Sequence, residues 1–386
     1  MKKQVAVILL SLCTASAIAQ TSTSRARDLG IPFEGLPGRY NAITDVPGVL
    51  VGYKTLIKGK GELKVGKGPV RTGVTVILPK GKTNAGVPAA WFSFNGDGEM
   101  TGLPYIEDYG LNYGPIGITN TYSIGVVRDA IGEWNFKHFS QGELFDFSFG
   151  LPVVGETFDG ILNDINGLHV KKQDVWDALD GAKGGPVAEG NVGGGTGMSL
   201  FLFKGGSGTA SRVIKIDTAT YTLGAFVQGN FGGRKDLMVA GVPIGQEVTD
   251  LKPIIKTKEK DGSIIVVIAT DAPLLPLQLK QIAKRATVGV ARTGGIGRNS
   301  SGDIFLAFST RTPEANAKGT LETWQSVPKE QLDKLYQATA EATEEAIINA
   351  LVAAQTMEGI NGNTIYALPH NRLQEIMRKY NRLEIK

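Results

Sequence analysis

Glycine sets the first limit on this chain. With 51 glycines among 386 residues, a helical bundle is excluded, because each glycine inside a helix costs about 1 kcal/mol relative to alanine. The glycines follow neither the period of collagen nor that of a solenoid, so the expected architecture is many strands joined by tight turns. Arg39 to Gly52 (RYNAITDVPGVLVG) alternates turn residues with β-branched ones, and Gly73 to Leu78 (GVTVIL) repeats the pattern; both read as strands. Ile116 to Val127 and Ile264 to Ala269 are dense enough in Ile, Val and Thr to be strands buried on both faces. A layered α/β body follows.

Helical patterns are fewer, and the two clearest come late. Pro273 to Ala286 places Leu277, Ile282 and Ala286 at near-helical spacing, and Lys329 to Ala354 carries Leu332, Leu335, Tyr336, Thr339, Thr343, Ile347 and Ala350 on one face. The lysine-rich stretches Ile57 to Lys67 and Lys252 to Asp261 read as exposed hairpin tips or loops. No low-complexity linker forces a boundary, so one compact domain over about 20–386 is expected.

The first residues read as an export signal over 1–19: a basic Met1-Lys2-Lys3, an apolar Val5 to Leu12 and a small-residue cleavage site at Ala17-Ile18-Ala19. An exported, periplasmic or secreted protein is expected, without a membrane anchor, since no stretch offers the roughly 20 apolar residues a membrane helix needs. Cys13, the only cysteine, lies in that leader. The mature chain would therefore hold no disulfide, cysteine nucleophile or thiolate metal site. Formal charge is +4, of which Lys2 and Lys3 contribute two, leaving about +2 on the mature chain. That balance offers no nucleic-acid surface.

Metal chemistry is poorly supplied: His138, His169 and His370 are the only histidines and none is spaced as a ligand pair. No metal or other cofactor is expected. No Gly-x-Ser-x-Gly elbow occurs, and His370 reads as a structural or capping residue. Asn191 to Met198 (NVGGGTGM) lacks both the Walker lysine and the dinucleotide-loop spacing. It marks a close backbone approach, to a ligand or to another strand.

The most informative stretch is Arg292 to Thr310 (RTGGIGRNSSGDIFLAFST), where a glycine-rich loop runs into an apolar strand and holds a serine at the mouth of that strand. A strained peptide bond before such a serine can undergo N-to-O acyl shift. Hydrolysis of the ester then leaves the serine as a new N-terminus, whose α-amine, with a reference pKa near 8, can take the hydroxyl proton. On these residues alone, a plain glycine-rich hairpin is the simpler account.

A resemblance adds to this. Ala42 to Val49 (AITDVPGV), Thr119-Asn120-Thr121, Val154 to Gly160 (VGETFDG), Gly190 to Met198, Thr270 to Leu274 (TDAPL), Ser301-Gly302-Asp303 and Glu341 to Ile347 (EATEEAI) follow the order seen in the DmpA-like self-cleaving serine peptidases. That family comprises L-aminopeptidase/D-Ala-esterase/amidases and β-peptidyl aminopeptidases. The resemblance implies a four-layer αββα sandwich of N-terminal-nucleophile type, cut near Asn299, Ser300 and Ser301 into an α subunit (about 20–300) and a β subunit (about 301–386), and a homo-oligomer of such pairs. It places the nucleophile at Ser301, with Ser300 as the neighbouring alternative. It maps the supporting Ser-x-Glu pair onto Thr343 and Glu345, with Thr in place of Ser; a helical wheel turns Glu345 away from the apolar face, where a solvated glutamate is the plain alternative. Glu156 resembles the residue that receives the substrate's free amino group, and Asn230 the amide of the oxyanion hole. Phe158 stands where family members often have Tyr or Trp. The implied substrate is a small peptide, amide or ester with a free amino end, including β- or D-amino acids. An ornithine-acetyltransferase type of acyl transfer and an uncleaved binding protein are the competing readings.

Overall fold

The structure, a computed structural model, describes residues 24–140, 142, 151–256 and 262–384; the expected leader and Cys13 lie outside them. The chain runs through β1 (Leu50–Lys58), β2 (Val70–Leu78), β3 (Gly86–Gly96), α1 (Leu103–Tyr109), β4 (Leu111–Tyr113), β5 (Ile116–Asn120), α2 (Ile124–Phe139), β6 (Val153–Thr157) and α3 (Lys172–Asp180). A small hairpin, β7 (Ser199–Leu200) and β8 (Phe203–Lys204), leads into β9 (Gly206–Ile216), β10 (Ala219–Asn230), the single turn α4 (Ile244–Glu247) and β11 (Ser263–Thr270). Then come α5 (Pro276–Arg292), β12 (Gly302–Ser309), α6 (Leu332–Ala353) and α7 (His370–Lys379).

These strands form two principal sheets, ordered β1-β2-β5-β6 and β4-β3-β12-β11-β10-β9. Alternation along each strand assigns its two faces to two different cores. Ile265 and Val267 point between the sheets, where they meet Phe226, Leu306 and Phe308 from their own sheet and Val51, Ile77, Ile116 and Val153 from the other. Ile264, Val266 and Ile268 point the opposite way, onto Leu279, Ile282 and Ala286 of α5 and Leu335, Ala342 and Ile347 of α6. Val74, Val76 and Val154 back onto α2 and α3 through Val127, Ile131, Trp134, Val175 and Leu179. The layers are thus αββα. The run Ile264 to Ala269 is buried on both faces, as its composition implied.

Three readings of the sequence change. Arg39 to Gly52 is not one strand: Ile43–Asp45 is a 3-10 turn, in which Asp45 accepts from the N–H groups of Tyr40 at 2.9 Å and Ala42 at 3.1 Å, and the strand begins only at Leu50. Ile116 to Val127 breaks after Asn120, whose side chain accepts from the Ser123 N–H at 2.9 Å and starts the turn into α2. The β-branched run beyond it is helical because Val127, Ala130, Ile131 and Trp134 share one buried face. Finally, α5 begins at Pro276 rather than Pro273 and buries Leu279, Ile282, Ala283 and Ala286, leaving Leu277 76% exposed. Proline at the first helical position sets that phase.

Helix α6 is held to β9 by charge as well as by apolar packing. Buried Arg212 of β9 pairs with Glu341 at 3.2 Å and Glu345 at 2.9 Å. Glu345 also accepts from Arg27 at 2.8 and 2.9 Å and from Asn41 at 2.6 Å. The wheel's solvated Glu345 is therefore corrected: the residue is 0% exposed because the segment before β1 folds over α6 and supplies its partners. Removing one member of a buried ion cluster leaves the others uncompensated, at a cost of about 3–5 kcal/mol. Glu345→Ala is expected to lose roughly that much unfolding free energy, seen as a lower urea midpoint; an unchanged midpoint would show that the cluster does not anchor α6.

Candidate active site

The loop after α5 makes the site. The Thr293 hydroxyl donates to the Val290 carbonyl at 2.8 Å and ends the helix, and Gly294, at φ +99°, turns the chain where any Cβ would strike the Asp236 carbonyl. Arg298 pairs with Asp236 at 2.6 Å, and the Ser301 N–H closes a turn onto the Arg298 carbonyl at 2.9 Å. Burial deepens along the next residues, from exposed Asn299 through half-buried Ser300 to buried Ser301.

Ser301 lies immediately before β12, whose first residues pair with β3 on one side and β11 on the other. In extended backbone, residues two apart share a face. The Ser301 hydroxyl accordingly donates to Asp303 Oδ1 at 2.6 Å. Burial pushes the Asp303 carboxyl up to about 6, against the opposing pull of the Ser301 hydrogen bond. Asp303 is the acceptor that the sequence reading had placed in the motif without giving it a role.

Between these two, Gly302 donates its N–H to Ser263 Oγ at 3.1 Å and lies against Gly98. A Cβ on Gly302 would stand 2.6 Å from the Gly98 Cα, and one on Gly98 would stand 2.8 Å from the Gly302 Cα. Only glycine at both positions permits this contact, which brings the turn after β3 onto the start of β12. The same Gly98 Cβ position is 3.2 Å from Glu156 Oε1. Glu156 projects from β6 of the other sheet; it is buried and accepts from the Glu99 N–H at 3.1 Å and from the Thr121 hydroxyl. The structure therefore brings Glu156 and Ser301 to opposite sides of one glycine contact, although 145 residues separate them in sequence.

Asn230 closes the same end of the sheet. It is the last residue of β10, in register with Ser263; its Nδ2 donates to the Phe158 carbonyl at 2.8 Å and its Oδ1 accepts from the Ser199 N–H at 2.8 Å. The Phe158 ring packs against Ile161, Leu162, Met357 and Ile365. A narrow cavity lined by Phe231, Gly262, Gly295, Ile296, Ser301 and Asp303 reaches the serine.

Among the described residues, no hydrogen bond joins Thr343 or Glu345 to Ser301 or Asp303. Thr343 packs against Gly289 of α5, and its hydroxyl has no hydrogen-bond partner among the described residues. Glu345 is taken by Arg212 of β9, the edge strand three places from β12 in the sheet order. At about 4.8 Å between neighbouring strands, β9 lies about 14 Å to the side of β12. The docking of α6 on β9 directs the Glu345 carboxylate to Arg212 and not to Ser301. Each histidine is engaged elsewhere: His138 with the Trp134 carbonyl, His169 with Asp164 and His370 with the Val352 carbonyl, each at 2.8 Å. The glycine run at Gly193–Gly197 serves strands, since Gly193 and Gly194 donate to the Thr55 and Thr75 hydroxyls at 2.9 and 3.1 Å.

A family model described as Peptidase family S58 matches residues 41–365. The beta-peptidyl aminopeptidase BapA of Sphingosinicella microcystinivorans is 51% identical over 380 residues, covering 95% of this chain and 94% of that protein. The BapA of Sphingosinicella xenopeptidilytica is 46% identical over 377 residues, covering 94% and 93%. Among solved structures, the L-aminopeptidase D-Ala-esterase/amidase from Ochrobactrum anthropi, described as a prototype for the serine aminopeptidases and a variant of the Ntn hydrolase fold, superposes with a TM-score of 0.85. It is 46% identical and covers 93% of this chain and 99% of its own.

The ionised Asp303 accepts the Ser301 hydroxyl, and protonation removes that acceptor. With the carboxyl at about 6, hydrolysis is expected to decline as pH falls through 6, tenfold per unit below it. A kcat/KM profile between pH 5 and 8 that shows no such inflection would take Asp303 out of the chemistry.

Proposed function

Because this chain belongs to peptidase family S58 and is a serine aminopeptidase, we propose that it matures by cutting its own backbone before Ser301 and then removes N-terminal residues from short peptides, amides or esters, β-linked residues included. One observation carries the reading: a buried serine hydroxyl bonded to a carboxylate at 2.6 Å, beside the Gly98–Gly302 contact whose other side is the Glu156 carboxylate.

In maturation, Ser301 Oγ adds to the carbonyl carbon of Ser300 while Asp303 accepts the hydroxyl proton. The C–N bond breaks, the proton passes to the departing amine, and residue 300 is held as an ester on Ser301. Water then hydrolyses the ester to a carboxylate at residue 300 and a free α-amine on Ser301. In turnover, the same hydroxyl attacks the acyl carbon of the substrate's first residue, with the new α-amine, reference pKa near 8, and Asp303 as acceptors for its proton. The leaving amine takes up that proton, and water releases the acyl group. Glu156 receives the substrate's ammonium, the feature that separates a chain end from an internal residue. Asn230 Nδ2 has a second hydrogen beyond the one given to Phe158, and donates it to the developing oxyanion. Phe158 supplies a backbone carbonyl and an apolar wall in this scheme, and no hydroxyl.

The leader over 1–19 supports export to the periplasm or beyond, and the mature form is proposed to assemble from several cleaved pairs.

Denaturing electrophoresis of the purified protein is expected to show two fragments, the smaller of about 86 residues (386 minus 300), with an N-terminus at Ser301. Ser301→Ala is expected to remain one chain without activity; a single wild-type band would favour an uncleaved binding protein. Charge-assisted hydrogen bonds are worth about 1.5–3 kcal/mol. Glu156→Gln is accordingly expected to lower kcat/KM roughly 10 to 150-fold while leaving self-cleavage intact, and N-acetylation of an amino-acid p-nitroanilide to abolish its turnover. Equal turnover of N-acetyl and free substrates would exclude aminopeptidase specificity, and acetyl transfer to an amino acceptor would favour the acyltransferase.

A further inference from the structure

Asn95 stands where β3 ends, in register with Asp303 across the β3–β12 pair, beside the bulge between Asp303 and Ile304. Its side-chain amide turns to the loop that carries the serine. Nδ2 donates to the carbonyls of Arg298 at 3.0 Å and Asn299 at 3.2 Å, and also to that of Ser301. One amide nitrogen thus gathers three carbonyls from four consecutive residues. An NH2 group has two hydrogens, so at least one is shared between acceptors.

That concentration is unlike an ordinary loop contact. The three carbonyls flank the carbonyl of residue 300, the electrophile for Ser301 in the proposed self-cleavage. Rotation of a peptide plane swings its carbonyl, and the planes on both sides of the reacting bond are held by one donor on a strand fixed within the sheet. The Arg298 carbonyl is doubly held, since it also accepts the Ser301 N–H at 2.9 Å. An attack within a chain depends on such alignment, because reacting atoms must be held near contact distance in the right orientation.

We propose that Asn95 is the positioning residue of self-cleavage: its amide clamps the peptides on either side of the scissile bond, and afterwards it retains the Ser301 carbonyl and so keeps the new N-terminal nucleophile in place. After the cut, residues 298 and 299 belong to the separated end of the α fragment, while Ser301 stays at the head of β12. Asn95 therefore acts most strongly before cleavage and more weakly during turnover. Nothing in its position requires contact with the substrate, so its effect falls on kcat and not on KM.

The inference rests on the self-cleavage proposed above, and the experiment separates the two. The full chain is pulse-labelled during synthesis, and fragment appearance is followed for the wild type, Asn95→Ala and Asn95→Asp, the last retaining shape while losing the donor. Folding is followed in parallel by protease resistance, and kcat and KM are measured on matured protein. Both variants are expected to cleave on the order of 10 to 100-fold more slowly than the wild type with unchanged protease resistance, and their matured fraction to show a several-fold lower kcat at unaltered KM. Wild-type cleavage rates in both variants would overturn the inference and leave self-cleavage standing. So would slow cleavage that merely tracks loss of folded protein. A wild type that never cleaves would instead defeat the underlying reading.

Discussion

The Gly98–Gly302 contact is the constraint on which the site depends. Gly302 already pairs with Gly96 in the ladder between β3 and β12, where main chains lie about 4.8 Å apart. Here the turn after β3 folds down onto the first residue of β12, and two residues without Cβ atoms let main chain touch main chain. The close approach has two consequences. It lets the Glu99 N–H bind Glu156 from the opposite sheet, and it holds the start of β12 so that Ser301 and Asp303 meet above it. A side chain at either glycine would separate the amine-reading carboxylate from the nucleophile.

Charge is distributed along the sheet according to what it does. Around Arg212 of β9, Arg27, Glu341 and Glu345 complete a cluster in which opposite charges face one another. Such a cluster resists disruption, because removing one partner strands another in a dry interior. At the Asn230–Ser263 end, the buried carboxylates of Asp303 and Glu156 meet hydroxyls and N–H groups. Asp303 is left raised to about 6 by desolvation, close to the pH at which a proton acceptor works best. The β9 edge of the sheet is built for cohesion and the start of β12 for reactivity.

The sequence exposed some of this and concealed the rest for identifiable reasons. Ile264 to Ala269 read correctly as a doubly buried strand because an apolar run bounded by turns has few other uses. The opening of α2 was mistaken for strand because its β-branched residues carry a strand-like composition, and the Asn120 cap that starts the turn is a single residue. Asn95 gave no signal, since Phe94-Asn95-Gly96-Asp97-Gly98 looks like any polar turn. Thr343 and Glu345 matched a motif, but a motif carries no information about which strand of a sheet a helix lies against.

Sequence by itself determined a layered α/β body, through strands buried on both faces, and the placement of a glycine-framed serine at the mouth of one of them. Local composition decides whether a segment can be buried, and only short spacings govern how Ser301 and Asp303 share a face. Tertiary structure decided which distant groups join them. Glu156, Asn230 and Asn95 reach the serine's end of the sheet because strand register and the glycine contact carry them there. Glu345 is held away because its helix docks with that carboxylate against Arg212. Register is a property of paired strands, and no single segment of the chain contains it.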